Sequence, residues 1–252
     1  MTTTTMLDEA ALHAGQTLGE IAAQDVRKAD VLKKHGLDFC CGGKKTLAAV
    51  CEEKGLNTAA IAKELEEAPG RAVSSLSLHF AEWKPDFLAD YIVNVHHAYV
   101  RHHSAEIEYL AEKVYLAHGQ HHPALGEIND QFGLLKVELL NHLIKEEEVL
   151  FPYIKMLQAK VNGDVVPLSM EDINVKAPVS MMEVEHELAG DIMRRIRVLT
   201  NDYQAPERCC NSFRLLFHRL AEFESDLHQH IHLENNILFP AAIRLEEKMQ
   251  LA

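Results

Sequence analysis

The sequence predicts an all-α protein whose larger part is an antiparallel four-helix bundle. After Pro85, four long stretches carry apolar residues at helical spacing, and no convincing alternating strand pattern interrupts them. The breaks between them carry Gly and Pro, which end helices and turn the chain. Long helices joined in this way pack as antiparallel neighbours. The predicted helices cover about residues 86–117, 124–160, 178–200 and 206–249.

The N-terminal part reads as a small domain of short helices. Thr17 and Glu20 have the spacing of a capping box, in which each side chain satisfies the other residue's backbone amide. Gly36 and Gly55 stand where helix C-caps are expected, and Asn57 is placed to cap the next helix. The sequence therefore predicts a small helical domain over 1–70, a linker over 71–85 and the bundle over 86–252.

The composition excludes several classes of protein. The 252 residues are 47% hydrophobic and 25% charged, which is ordinary for a globular protein. No apolar run reaches 18 residues and the N-terminus lacks the pattern of a secretory signal, so we expect a cytoplasmic protein. A net charge of −13 argues against nucleic acid as a partner. The five Cys lie mostly as adjacent pairs, which does not fit a disulfide framework.

One motif occurs twice in the bundle, 88 residues apart. The two copies read HLIKEEEVLFP at 142–152 and HIHLENNILFP at 230–240. Residues four apart share one face of a helix, so His142 and Glu146 point the same way, as do His230 and Glu234. Each copy also has an acidic residue four positions before its His.

Each copy has an upstream histidine at a matching distance. His96 precedes His142 by 46 residues and His186 precedes His230 by 44. If each half folds as a helical hairpin that turns near the midpoint, its two histidines meet at the same depth. The residues predicted to converge in the bundle core are His96, His142, Glu146, His186, His230 and Glu234.

Imidazoles and carboxylates without thiolates are ligands for iron, manganese or zinc. Two carboxylates can bridge two metals and leave two imidazoles for each. The alternative for one His-Glu pair alone is a salt bridge, but six residues with internal two-fold spacing favour a metal site. Glu138 and Asp226 are expected to accept hydrogen bonds from ligand histidines. Six further histidines are left out of the ligand set. His118 lies at the first turn, about 33 Å along a continuous helix from His96, and the others are predicted to lie at the surface or rim: His97, His102, His103, His121 and His122.

The N-terminal domain carries a second chemical signal, LDFCCGGKK at 37–45. Cys40 and Cys41 precede two Gly and two Lys, where a helix is expected to begin, and helix N-termini and cations favour the reactive thiolate. The alternative is one packed Cys with an incidental neighbour. Cys51, Cys209 and Cys210 read as small apolar residues within helices.

These motifs together resemble the Repair of Iron Centres family. The resemblance rests on LDFCCGGKKTL followed by HHAYVR, HLIKEEEVLFP, EVEHELAG and HLENNILFP, and it covers nearly the whole chain after residue 15. It implies a hemerythrin-like bundle with an oxo-bridged, non-haem di-iron centre in which Glu146 and Glu234 bridge. It implies His96, His142, His186 and His230 as terminal ligands.

The resemblance also implies a function: restoring iron–sulfur clusters damaged by nitric oxide or peroxide, by supplying iron to damaged iron–sulfur proteins. It implies a cytoplasmic homodimer. Two other functions use the same centre and stay open, namely a carrier or sensor of oxygen or nitric oxide, and a reductase of nitric oxide or peroxide. Cys40 and Cys41 favour repair, because a simple gas carrier has no need of a thiol domain.

Overall fold

The structure is a computed structural model that describes residues 13–40, 42–68, 79–164 and 174–250. These residues form two compact units. The first comprises the described residues up to Lys84 together with Ile231–Ala241, and the second comprises Pro85–His230 with the described residues from Ala242 onward. Cys41 and most of the predicted linker lie outside the described residues.

The first unit contains four short helices, which confirms the helical prediction for this part of the chain. Their bounds are α1 Leu18–Gln24, α2 Val26–Lys34, α3 Leu47–Lys54 and α4 Thr58–Glu67. Thr17 and Glu20 form the predicted capping box, and Asn57 caps α4. Gly55 ends α3 with a φ of 64°, a left-handed conformation that a glycine adopts without strain.

The helices of the first unit enclose a small apolar core of their own. Leu18, Ile21, Leu32, Leu47 and Leu65 are each fully buried in it. Because apolar burial is the main favourable contribution to folding, this cluster is what holds the short helices together. Cys51 lies in the same cluster, which confirms its prediction as a small apolar residue within a helix.

The four helical stretches predicted after Pro85 are confirmed, with ends shifted by a few residues. Within the described residues the chain is helical and has no strand apart from one isolated bridge between Thr17 and Thr46. The helices are α5 Pro85–Ile92, α6 Ala98–His118, α7 Ala124–Lys145, α8 Phe151–Asn162, α9 Lys176–Leu199, α10 Asn211–Leu233 and α11 Phe239–Gln250. None of them is long and apolar enough to cross a membrane.

The long helices run antiparallel. Helix α6 packs against α7 across a short turn, α5 packs against α8 at the other end, and α7 also packs against α9. Apolar side chains fill the space between them: Phe132 of α7 and Phe223 of α10 meet edge to face, with ring centroids 5.4 Å apart. This packing holds the helices in a fixed register, which brings their polar residues to one depth.

Three wide helical turns interrupt the long helices. These π-helical segments are Val93–His97, Glu146–Leu150 and Glu234–Leu238. In the first, the Ala98 amide donates to the Val93 carbonyl, five residues back. Such turns are rare and occur mostly at functional sites, because they change the direction in which neighbouring side chains project. Each segment here contains or begins at one of the histidine or glutamate residues described below.

Candidate metal centre

Two overlapping groups of buried side chains can each hold a metal ion. Within each group, one ligand atom per residue lies within 4.8 Å of the others. The first group is His97, Glu146, His230 and Glu234, and the second is His142, Glu146, His186 and Glu234. The two groups share both glutamates and differ in their histidines. All of their members are buried.

Glu146 lies between histidines of the two groups. Its Oε2 is 3.3 Å from Nε2 of His97 and 3.3 Å from Nε2 of His142. On the other side of His142, the Nε2 atoms of His142 and His186 approach to 3.0 Å. The ring of His230 is 4.9 Å from that of His97 and 6.4 Å from that of His186, measured between centroids. One small volume is thus lined by imidazole nitrogens and carboxylate oxygens.

Carboxylates outside this volume orient two of the histidines. Nδ1 of His142 donates to Glu185 at 2.8 Å, and Nδ1 of His97 donates to Glu147 at 2.7 Å. A proton held on Nδ1 leaves the lone pair of Nε2 available, and Nε2 is the atom that points to Glu146 in both rings. This arrangement, in which a carboxylate fixes the tautomer and raises the basicity of a histidine, is typical of metal ligands.

Each supporting carboxylate also accepts a hydrogen bond from a cationic side chain. Burial raises the pKa of Glu185, but hydrogen bonds from Lys145 and His142 outweigh burial and hold that pKa below its usual range. Glu147 accepts a second hydrogen bond from Arg101 at 2.8 Å. The Glu185 carboxylate is therefore placed as an anion behind the imidazole of His142.

The structure places five of the six residues predicted from the sequence in these groups and adds one that the prediction left out. His96 lies in neither group: its Nδ1 is 2.9 Å from Asp226 and its ring stacks on that of His230 at 5.8 Å. The neighbouring residue, His97, belongs to the first group. The prediction that His97 lies at the surface was wrong, since its exposure is 0%.

The wide turn at Val93–His97 explains the difference. Successive residues of an α-helix project about 100° apart, so only one of two adjacent histidines is expected to face the core. The π-helical turn changes this relation, and both His96 and His97 are buried. The adjacent pair is visible in the sequence, but the spacing between histidines does not distinguish His96 from its neighbour His97. The wide turn that decides between them has no sequence signature.

The two predicted supporting acids do not bond a member of either group through the contacts described. Asp226 does bond a histidine, His96. Glu138 is exposed, and the acceptor for His142 is instead Glu185, which directly precedes His186. The residue four positions before a histidine shares its helix face, whereas Glu185 reaches His142 from another helix, a contact that local spacing does not reveal.

The donor set fits a bound metal. Burying two carboxylates among imidazoles is costly unless positive charge accompanies them. Nitrogen and oxygen donors without thiolate suit iron, manganese or zinc, and helical bundles hold carboxylate-bridged metal pairs in this way. Because both glutamates belong to both groups, each can contact two ions at once.

The motif in the N-terminal unit has a different character. Cys40 is buried, and its Sγ donates to Oδ1 of Asp38 at 3.1 Å, which places a proton on the sulfur in this arrangement. The expected helix start after the two lysines is confirmed, because Thr46 caps α3 and the helix begins at Leu47, seven residues after Cys40. Within the first unit, the side-chain amides of Asn235 and Asn236 donate to the carbonyls of Cys40 and Phe39 at 3.3 and 2.9 Å.

A helical bundle that gathers buried histidines and glutamates defines a hemerythrin-type cation-binding protein. The family model described as the hemerythrin HHE cation binding domain matches residues 88–242, and one described as a domain of unknown function, DUF542, matches residues 14–69.

Curated proteins match almost the whole chain. The iron-sulfur cluster repair protein YtfE of Pectobacterium atrosepticum is 35% identical over 237 residues, which cover 93% of this chain and 99% of that protein. A probable iron-sulfur cluster repair protein of Haemophilus influenzae is 34% identical over 230 residues, covering 91% and 97%. The YtfE of Yersinia pestis is 32% identical over 238 residues, covering 93% and 99%. The chain belongs to the family of iron–sulfur cluster repair proteins.

Proposed function

We propose that this protein holds a di-iron centre and uses it to resupply iron to damaged iron–sulfur clusters. The observation that carries the proposal is the pair of four-residue groups that share Glu146 and Glu234. Two groups with two common carboxylates correspond to two ions with two bridges. The names and the extent of similarity of the relatives support iron as the metal and damaged clusters as the target.

We assign the ligands from the two groups. Glu146 and Glu234 are the bridging residues. His97 and His230 would complete the protein ligands of the ion in the first group, and His142 and His186 those of the ion in the second. We assign His97 in place of His96, the ligand predicted from the sequence. Nε2 of His97 lies 3.3 Å from Oε2 of Glu146, and His97 belongs to a group that does not include His96.

The chain's own residues favour a centre that holds iron reversibly. Two imidazoles and two shared carboxylates would hold each ion, so coordination positions would remain for exogenous ligands. When bound, the iron pair supplies both the cargo and a place where small ligands can coordinate. The bundle excludes bulk water from these two glutamates, each with 0% exposure, so bound metal would compensate their charge.

The role of Cys40 and Cys41 is also a proposal: one or both thiols receive iron or undergo redox exchange during repair. The Asp38 carboxylate accepts a hydrogen bond from the Cys40 thiol, so this thiol must lose that partner before it reacts. The cytoplasmic location and the homodimer likewise remain predictions. So does the division into 1–70, 71–85 and 86–252.

The test is transfer of labelled iron from the full-length protein to a cluster enzyme inactivated with peroxide or nitric oxide. We expect the loaded protein to restore activity and to deliver its label into the rebuilt cluster. The metal-free protein and the same concentration of free ferrous iron serve as controls. Restoration that is no faster than with free iron would rule out repair by supply and leave gas binding or reduction as the function of the centre.

A second arm uses the double variant Cys40→Ser, Cys41→Ser. Its iron content should match that of the unsubstituted protein, because neither residue belongs to a ligand group, while restoration should slow. Restoration at the unsubstituted rate would remove the thiols from the mechanism without touching the di-iron assignment.

A further inference from the structure

A cysteine and a histidine meet at the turn end of the bundle, outside the candidate metal centre. Sγ of Cys210 lies 3.1 Å from Nε2 of His118. His118 is the last residue of α6, and Cys210 directly precedes α10. The contact therefore joins the end of one helix to the start of another, and the two residues are 92 positions apart in the chain. Cys210 is exposed and unbridged. The prediction of Cys209 and Cys210 as apolar residues within a helix was therefore wrong, since both precede α10.

The imidazole is held in place by packing. The ring of Phe213, on the first turn of α10, is only 2% exposed and meets His118 edge to face at 5.7 Å. His122 packs on the same ring at 5.3 Å. Cys210 is held as well, since its carbonyl accepts the Arg214 amide at 3.2 Å at the start of the helix. The contact thus joins two positioned groups, not two mobile surface side chains.

A nucleophile and a base within hydrogen-bonding reach form the core of an activated thiol. The imidazole can accept the thiol proton, and the positive end of the α10 dipole stabilises negative charge on the sulfur at its N-terminus. Cys209 is next in the chain and only partly exposed, but the His118 contact is made by Cys210. This neighbour provides a natural comparison for reactivity.

We propose that Cys210 is a reactive thiol, activated by His118, that undergoes reversible exchange with small disulfides bearing carboxylates. The Cys210 proton passes to His118, and the thiolate attacks one sulfur of the disulfide. A new S–S bond forms at Cys210 while the original S–S bond breaks, and the other half leaves as a thiolate that takes up a proton. Cys210 is oxidised to a mixed disulfide and the departing half is reduced. The exposed guanidinium groups of Arg208 and Arg214 flank the thiol in sequence and favour an anionic partner.

The experiment is reaction of the full-length, iron-loaded protein with 5,5′-dithiobis(2-nitrobenzoate) at pH 7, followed by the release of the coloured thiolate. Tryptic mapping identifies the site, because cleavage after Arg208 and Arg214 releases Cys209 and Cys210 in a peptide separate from that of Cys40. The variants Cys209→Ser and Cys210→Ser assign each rate. We expect Cys210 to react about 10-fold faster than Cys209 or more, as general-base assistance implies.

Three histidine variants test the cause. His118→Phe keeps an aromatic ring against Phe213 but removes the base, and His118→Gln removes the base while keeping a polar group. Both should slow Cys210 to the rate of Cys209. His122→Phe is the matched control, because it changes the other ring on Phe213 and should leave the rate unchanged. Equal rates for the two cysteines, or an unchanged Cys210 rate in both His118 variants, would overturn the proposal. Oxidised glutathione in place of the reagent should give the same order of rates.

Discussion

The two copies of the repeated motif share a metal-binding turn but differ in what the next two residues contact. In both, a His is followed four residues later by a Glu, a π-helical segment begins at that Glu, and the next α-helix begins at a Phe followed by Pro. The first copy continues with Glu147 and Glu148, and the second with Asn235 and Asn236.

These two positions serve different neighbours. Glu147 accepts a hydrogen bond from Nδ1 of His97, so the first copy supports a histidine of the candidate centre. Asn236 donates to the carbonyl of Phe39 and contacts Nδ1 of His232 at 2.9 Å, so the second copy holds the backbone beside Cys40. Burial lowers the pKa of His232 to about 4, which keeps its ring neutral and able to accept from the amide.

The comparison separates the residues that the metal site requires from the residues that the neighbouring structure requires. The His and Glu four residues apart are the same in both copies, because both glutamates are shared by the two ligand groups. The following pair is free to change from acids to amides, since one copy faces an imidazole N–H and the other faces carbonyl oxygens. A carboxylate at Asn236 would repel the carbonyl that the amide now binds.

The largest expected effect is loss of metal when the shared element is broken. Glu146→Gln and Glu234→Gln each keep the side-chain volume but remove the bridging charge. Iron content measured by plasma emission should fall from about two per chain, the number for a carboxylate-bridged pair, to below one. Glu148→Gln is the matched control, because Glu148 is exposed and belongs to neither group. Full iron loading in either bridging variant would disprove the shared-glutamate assignment.

The next effect distinguishes two adjacent histidines. His97→Gln should lower iron content and alter the absorption of the centre, because Nε2 of His97 lies against Glu146. His96→Gln should retain more iron, since the Nδ1 of His96 bonds Asp226 and the residue stands outside both groups. The reverse order of iron contents would restore the sequence-based choice of His96.

Most of the fold, and most of the site, could be read from the sequence because each depends on local periodicity. The spacing of apolar residues fixed the long helices, and the four-residue spacing identified His142 with Glu146 and His230 with Glu234. The choice between His96 and His97 depends on a wide turn that arises from the packed bundle. Likewise, Glu185 reaches His142, and Cys210 reaches His118, only across helix–helix contacts. Contacts of this kind have no period in the sequence.

A smaller effect is expected when the carboxylate that supports His97 is removed, because only the first copy of the motif provides such a carboxylate. Glu147→Gln takes away the charge that orients His97 but leaves every ligand in place. Loss of such a supporting acceptor lowers metal affinity by about 10–100-fold. Competition with a chelator of known affinity measures the change, and Glu148→Gln again provides the control. An affinity equal to that of the unsubstituted protein would show that Glu147 does not tune the centre.

The smallest effect concerns the second copy and its contact with the loop. Asn236→Ala removes the hydrogen bond to the carbonyl of Phe39, and leaving a buried acceptor unsatisfied costs about 1–3 kcal/mol. The fit around the amide is close, because a Cβ at Gly19 or Gly43 would lie 2.1 or 2.7 Å from its Oδ1. Hydrogen exchange should therefore show faster opening at residues 37–45, while iron content stays unchanged, since Asn236 is not a ligand. Asn235→Ala, which loses a longer contact of 3.3 Å, should change exchange less. If Asn236→Ala instead loses iron with no change in exchange, the amide supports the metal centre, and the two copies do not divide their roles as the contacts indicate.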